Sequence, residues 1–219
     1  YNWQGTGLVT FWFDDAWVSE YDPGAEYLRS QGYVASLAVT TNYVDYPGYM
    51  TWSQIKRVAH WGWEISSHSR THQCNPQDMS PEMLKSEVLE SGKILEKYGF
   101  LTETFVAPCG ATTEEMLSLA KNYYKSLRGT HGGLNSLPVV DPFNLNAVSV
   151  TPSTTHDDMA YWINEAKRTK SWLIIVVHQI DNTGDQYSIG VDQYKDIVEQ
   201  VKNSGLPVVL PAQALGIKN

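Results

Sequence analysis

Short apolar runs alternate along this chain with amphipathic stretches, and that alternation constrains the fold more than any other feature. Apolar runs of strand length bounded by turn residues read as strands, and apolar positions at a 3.6 period read as covering helices. Repeated strand–helix steps are buried best as a parallel sheet with helices packed on it. The expected strands are 8–13, 34–39, 63–67, 104–107, 125–128, 146–150, 172–177 and 206–210. The run Trp172-Leu173-Ile174-Ile175-Val176-Val177 is the most apolar, as a central strand buried on both faces requires. Helices are expected from Asp22-Pro23 to about Gln31, after a Thr51 cap, from Ser80-Pro81 to Gly99, after Thr113, and over 155–169 and 191–203. Seven or eight β/α steps in 219 residues fit a distorted (β/α) barrel better than an open sheet, as one domain spanning 1–219.

Chemistry in such a barrel sits on the loops after the strands, and every polar candidate here falls in that position. The first run ends in Asp14-Asp15. Side chains of successive residues on an extended segment diverge, so one carboxylate can bind a metal while the other faces substrate. A strand-end turn with an Asx hydrogen bond is the plainer alternative. The third run leads into His68 and His72, and one helical turn would bring both imidazoles to the same side. With Asp15 they make the minimum set for a hydrolytic zinc-type centre with positions left open for water. His178 ends the most apolar run. Beside a metal site it reads as a proton donor; in isolation it would be a hydrogen-bonded structural histidine. His60, His131 and His156 fall on a helix or in polar loops, where surface roles are expected.

The formal net charge of −8 does not suit a polyanion, which argues against a nucleic-acid partner. No run of eighteen apolar residues exists, so no membrane span is expected, nor is a retained signal peptide. The start at Tyr1 reads as a mature or excised domain. Few charges and many Trp and Tyr side chains fit stacking against neutral sugars. Trp17, Tyr43, Tyr46 and Tyr187 lie in loops after strands, and at least one is expected to stack on a substrate ring. The two cysteines, Cys74 and Cys109, form no disulfide framework and no zinc-ribbon spacing. They read first as separate small buried residues. A bridge is the alternative, because each follows a site motif on neighbouring strand-end loops.

Phe13-Asp14-Asp15, His68-Ser69-Arg70-Thr71-His72, Ala107-Pro108-Cys109-Gly110 and Val176-Val177-His178, in this order, resemble the motifs of the polysaccharide deacetylases. That family is carbohydrate esterase family 4, also called the NodB-homology domain, and the resemblance runs from Val9 to about Leu215. It implies a distorted barrel and one divalent ion held by Asp15, His68 and His72. Zinc is the first expectation, with cobalt, nickel or manganese as alternatives. Asp14 would be the general base, His178 the general acid, and the backbone N–H of Cys109, between Pro108 and Gly110, an oxyanion donor. Three positions depart from the family pattern. Ala16 stands where glycine is usual, Val106 where an arginine pairs with the catalytic Asp, and Cys109 where an aromatic residue precedes the glycine. A fourth motif, an Asp with a nearby Trp that orients the general acid, has only Asp157 or Asp158 with Trp162 as candidates. Arg128, at the end of the fifth run, is expected to replace the missing arginine beside Asp14; a surface arginine at a strand exit is the alternative.

The function expected is metal-dependent hydrolytic deacetylation of an N- or O-acetylated polysaccharide or oligosaccharide, in an extracellular or cell-envelope setting. The alternatives are a relative acting on a cyclic imide or ureide, and a catalytically silent sugar-binding module of the same fold. Nothing in the sequence sets the glycan or the oligomeric state.

Overall fold

Seven parallel strands form one sheet in the computed structural model, which describes residues 5–217; residues 1–4 and 218–219 of the expected domain lie outside the described residues. The strands are β1 (Leu8–Asp15), β2 (Ser36–Val39), β3 (Glu64–Ser67), β4 (Thr104–Val106), β5 (Ser126–Arg128), β6 (Val148–Ser149) and β7 (Trp172–Val177). Their order is β5-β4-β3-β2-β1-β7-β6. The sheet curls until the segment leading into β6 meets β5, where Gly129 N–H donates to Leu145 O (3.1 Å) and Leu145 N–H to Leu127 O (3.2 Å). The result is a distorted barrel.

Around it lie α1 (Glu26–Ser30), α2 (Trp52–His60), α3 (Pro81–Lys85), α4 (Ser91–Lys97), α5 (Glu114–Tyr123), α6 (His156–Thr169), α7 (Val191–Ser204) and α8 (Pro211–Leu215). Thr51, Ser80, Thr113 and Thr155 cap α2, α3, α5 and α6, each accepting from a backbone N–H of the first turn. No helix among the described residues is long and apolar enough to cross a membrane.

Three expected elements come out differently. The helix from Asp22 begins as a distorted π turn over Glu20–Ala25, with Asp22 itself extended (φ −134°, ψ 114°). The Pro23 ring disfavours the α region for the residue before it, so regular helix starts only at Glu26. The long helix from Ser80 is interrupted by a π turn, Ser86–Glu90. The eighth strand, 206–210, shrinks to a single parallel bridge between Val9 and Val208. Pro207 has no N–H to donate, and Pro211 already opens α8.

Strand alternation sorts the core into two layers. Odd-numbered residues of β1 and β7, such as Val9, Phe11, Phe13, Leu173, Ile175 and Val177, pack under the helices. Even-numbered ones, Leu8, Trp12, Trp172, Ile174 and Val176, fill the barrel interior with Val106. Asp14 shares the parity of Trp12, and the Arg128 guanidinium lies over the Trp12 ring at 5.1 Å. Both therefore face inward, near the carboxyl ends of the strands.

Candidate metal centre and active site

The chain leaves β1 through two consecutive non-glycine residues in the left-handed region, Asp15 (φ 84°) and Ala16 (φ 64°). Local contacts hold this turn. Ala16 O accepts from Met50 N–H at 2.7 Å, and Trp17 N–H donates to Glu20 Oε2 at 3.1 Å. The Trp17 indole N–H donates to Asp15 Oδ2 at 3.1 Å, which leaves Asp15 Oδ1 buried with no hydrogen-bond partner.

Both imidazoles converge on that orphaned oxygen. His68 Nε2 is 3.5 Å and His72 Nε2 3.4 Å from Asp15 Oδ1. Ligands of a tetrahedral ion with bonds of about 2.1 Å stand about 3.4 Å apart, so the three donors fit one divalent cation. His68 Nδ1 lies 2.9 Å from Val106 O. A carbonyl only accepts, so the proton is on Nδ1 and the Nε2 lone pair faces the site. Burial holds the His68 pKa down to about 4, outweighing the attraction of Asp14, so the ring is neutral and ready to ligate.

The helical turn expected between the two histidines does not form. Ser69 (φ 62°) and His72 (φ 55°) are left-handed, and the segment is a loop. What folds it is Glu87, whose carboxylate accepts from Arg70 N–H (2.9 Å), Thr71 N–H (2.8 Å) and the Thr71 hydroxyl (2.8 Å). A carboxylate taking three donors is strongly specified. The sequence reading missed Glu87, although an acid between Leu84, Val88 and Ser91 on the inner face of a helix was a signal.

Asp14, 2% exposed, lies beside this cluster. Arg128 Nη2 reaches both of its oxygens, at 2.7 and 2.5 Å, and Arg128 is fully buried. Burial pushes the Asp14 pKa up, but the Arg128 guanidinium, by its charge and its hydrogen bonds, outweighs it and holds the carboxyl below its ordinary value. Of the two readings of Arg128, the structure has the buried one. His178 Nε2 stands 4.0 Å from Asp14 Oδ2, and its ring stacks on Tyr187 at 4.8 Å. Its Nδ1 is buried without a partner. Neither candidate for the fourth motif serves it: Asp158 is engaged in the Thr155 capping box, and Asp157 is exposed. Glu20, also missed, is fully buried behind the turn. Burial, with Asp15 and Asp14 nearby, raises its pKa well above the ordinary value. An isolated Glu in a polar loop carries no such signal.

After β4 comes the turn Pro108–Gly110, where Cys109 (φ 54°) and Gly110 (φ 69°) are left-handed and a side chain on Gly110 would collide with Thr130. Cys74 and Cys109 are bridged, with Cα atoms 5.3 Å apart. The reading of two separate buried thiols is thus corrected: Cys109 is exposed and Cys74 half-buried. The loops after β3 and β4 leave adjacent strands, which brings the two Cα atoms within bridging range.

Of the aromatic candidates, Trp17 is half-buried and stacked on Tyr49 at 4.2 Å, serving Asp15 with its N–H. Tyr43 donates its hydroxyl to Thr71 O at 3.0 Å. Tyr46 is 64% exposed and lies with Asn42, Tyr43, Pro47, Tyr49 and Thr71 along a cleft of about 510 Å³. Tyr49 was not singled out, although Tyr43, Tyr46 and Tyr49 recur at intervals of three. His60, His131 and His156 are exposed, and none joins the centre.

Residues 4–125, more than half of the chain, match the family model described as Polysaccharide deacetylase. A Bacillus sp. protein named gellan lyase is 26% identical over 205 residues, 85% of this chain but 8% of the relative. A polysaccharide deacetylase candidate of Bacillus subtilis (strain 168), YxkH, is 25% identical over 162 residues, 73% of this chain and 57% of the relative. The chain thus spans well under two thirds of either relative. Among solved structures, the family 4 acetyl xylan esterase from Clostridium thermocellum in complex with a cobalt ion superposes with a TM-score of 0.68 at 20% identity, over 96% of this chain and 91% of that one. That likeness bears on the fold, and the match to the family model settles membership: this chain belongs to the polysaccharide deacetylases, carbohydrate esterase family 4.

Proposed function

We propose that this domain is a metal-dependent hydrolase that removes N- or O-acetyl groups from a polysaccharide or oligosaccharide. The observation that carries the reading is the convergence of His68 Nε2 and His72 Nε2 on the unpartnered Asp15 Oδ1, with Asp14 and His178 alongside. A divalent ion bound there, zinc in the first instance, supplies Lewis acidity and brings the pKa of water to about 7.

The remaining work falls to the chain. Asp14, kept ionised by Arg128, takes a proton from the attacking water. The Cys109 N–H donates to the oxygen on which negative charge develops at the acetyl carbon. His178, exposed on one side and stacked on Tyr187, gives a proton to the departing sugar amine or alcohol. Tyr46 and the cleft beside it offer rings for a neighbouring sugar. The intact set Asp14, Asp15, His68, His72 and His178 argues against a silent sugar-binding module, which only the lack of arginine at position 106 keeps open. Arg128 on Asp14 removes that support. The bridged, partly exposed cysteines support an extracellular or cell-envelope setting.

Acetate release from chitooligosaccharides, poly-N-acetylglucosamine, peptidoglycan and acetylxylan, with and without a chelator, tests the reading. Release that stops with chelator and returns with metal is the expected result. His68→Ala and His72→Ala proteins should lose stoichiometric metal; wild-type affinity in both would refute the assignment.

A further inference from the structure

The Cys74–Cys109 bridge joins the two loops on which the candidate centre depends. Cys74 lies two residues past His72, and Cys109 is the oxyanion candidate. The ligand atoms of His72, Cys74 and Cys109 all lie within 4.8 Å of one another, as do those of Asp15, His68 and His72. His72 belongs to both groups. Cys109 is exposed and Cys74 half-buried, so the bridge lies at the surface rather than in the core.

We propose that this bridge is a redox gate on the metal centre: once opened, Cys74 and Cys109 join His72 in a second, sulfur-rich metal site that excludes the Asp15–His68–His72 site. The inference rests on the reading of those three residues as a metal centre.

Three arguments support it. First, two thiolates and an imidazole are soft donors that favour zinc or cobalt over a site of one carboxylate and two imidazoles. Second, a neutral imidazole has one lone pair to give, so His72 cannot hold two ions, and occupation of one site empties the other. Third, Cys109 (φ 54°) and His72 (φ 55°) are non-glycine residues in the left-handed region, and the bridge ties their loops together. Opening it frees both loops to adjust toward the new ligand set. The chemistry balances with a phosphine as reductant: phosphine, disulfide and water give phosphine oxide and two thiols. Each thiol that ligates releases its proton to solvent.

Cobalt(II) is the probe. The full chain is loaded oxidised, and again after phosphine reduction and anaerobic desalting. The reduced protein should show a sulfur-to-cobalt charge-transfer band in the near ultraviolet, absent from the oxidised form. Acetate release at limiting metal should fall at least ten-fold, and reoxidation should restore the oxidised spectrum and the activity together. Reduced Cys74→Ser and Cys109→Ser proteins, with one thiolate each, should show about half the band. A reduced protein that binds cobalt with the spectrum of the oxidised form overturns the proposal, as does one that loses its fold by circular dichroism. An oxidised cobalt protein inert toward every acetylated glycan would instead end the deacetylase reading alone, because the band reports the thiols directly.

Discussion

Arg128 grips Asp14 across the mouth of the barrel, with Nη2 at 2.7 and 2.5 Å from the two carboxylate oxygens, although their strands stand at opposite ends of the β5-β4-β3-β2-β1 series. Breaking a buried pair by removing one partner leaves an uncompensated charge and costs about 3–5 kcal/mol. Arg128→Met and Asp14→Asn should each destabilise on that scale, and the double variant should recover much of the loss. Urea unfolding of the four proteins measures the coupling; additive losses would show that the two side chains do not stabilise each other. Because the folded-state pKa of Asp14 is lowered, its contribution is present above the ordinary value of 3.8 and is lost as pH falls through the folded value. Arg128→Met should weaken that acid-side dependence.

His178 faces Asp14 at 4.0 Å and carries a ring nitrogen with no partner. If it protonates the leaving group, His178→Ala should slow amide deacetylation by about 10²- to 10⁴-fold. An aryl acetate, whose phenolate leaves unaided, should suffer far less. Equal losses on the two substrates would remove the acid role.

Glu64 lies at the start of β3, away from the centre, with Ala212 N–H donating to it at 2.9 Å. Burial, with Glu103 adding repulsion, raises its pKa from 4.5 to about 7 against the pull of that hydrogen bond. The folded state therefore holds a proton that the unfolded state releases. Its stabilising contribution is present below pH 4.5 and fades as pH rises to about 7. Glu64→Gln keeps the acceptor and never ionises, so its Tm should exceed the wild type's more at pH 8 than at pH 5. A constant difference between the two pH values would contradict the assignment.

Ala16 holds φ 64° within the turn that aims Asp15. Left-handed backbone costs a non-glycine residue about 1 kcal/mol, which glycine is spared. Ala16→Gly should therefore leave metal affinity intact and raise stability by at most about that amount, net of the extra unfolded-state freedom of glycine. Ala16→Val, branched at Cβ and buried, should lower the Tm and weaken metal binding. Both are read by thermal unfolding with and without metal; a more stable valine variant would show that the turn is unstrained.

Strand–helix alternation, the ends of β3 and β7, and the placing of Asp14, Asp15, His68, His72 and His178 at or after strand ends were legible in the sequence, because burial periodicity and strand-end polarity are local properties of the chain. The loop between the histidines was not legible, since a contact with Glu87 from another element overrides the helical spacing. Nor was the fate of 206–210, where two prolines defeat an apolar run. Both readings of Arg128 were open until the curl of the sheet set its buried side chain against Asp14. The two cysteines likewise stayed ambiguous until adjacent strands brought their loops within bridging range. Sequence alone determined which chemical groups stand at the strand ends. Tertiary structure decided which of them meet, because pairing across a curled sheet depends on the order and twist of strands far apart in the chain.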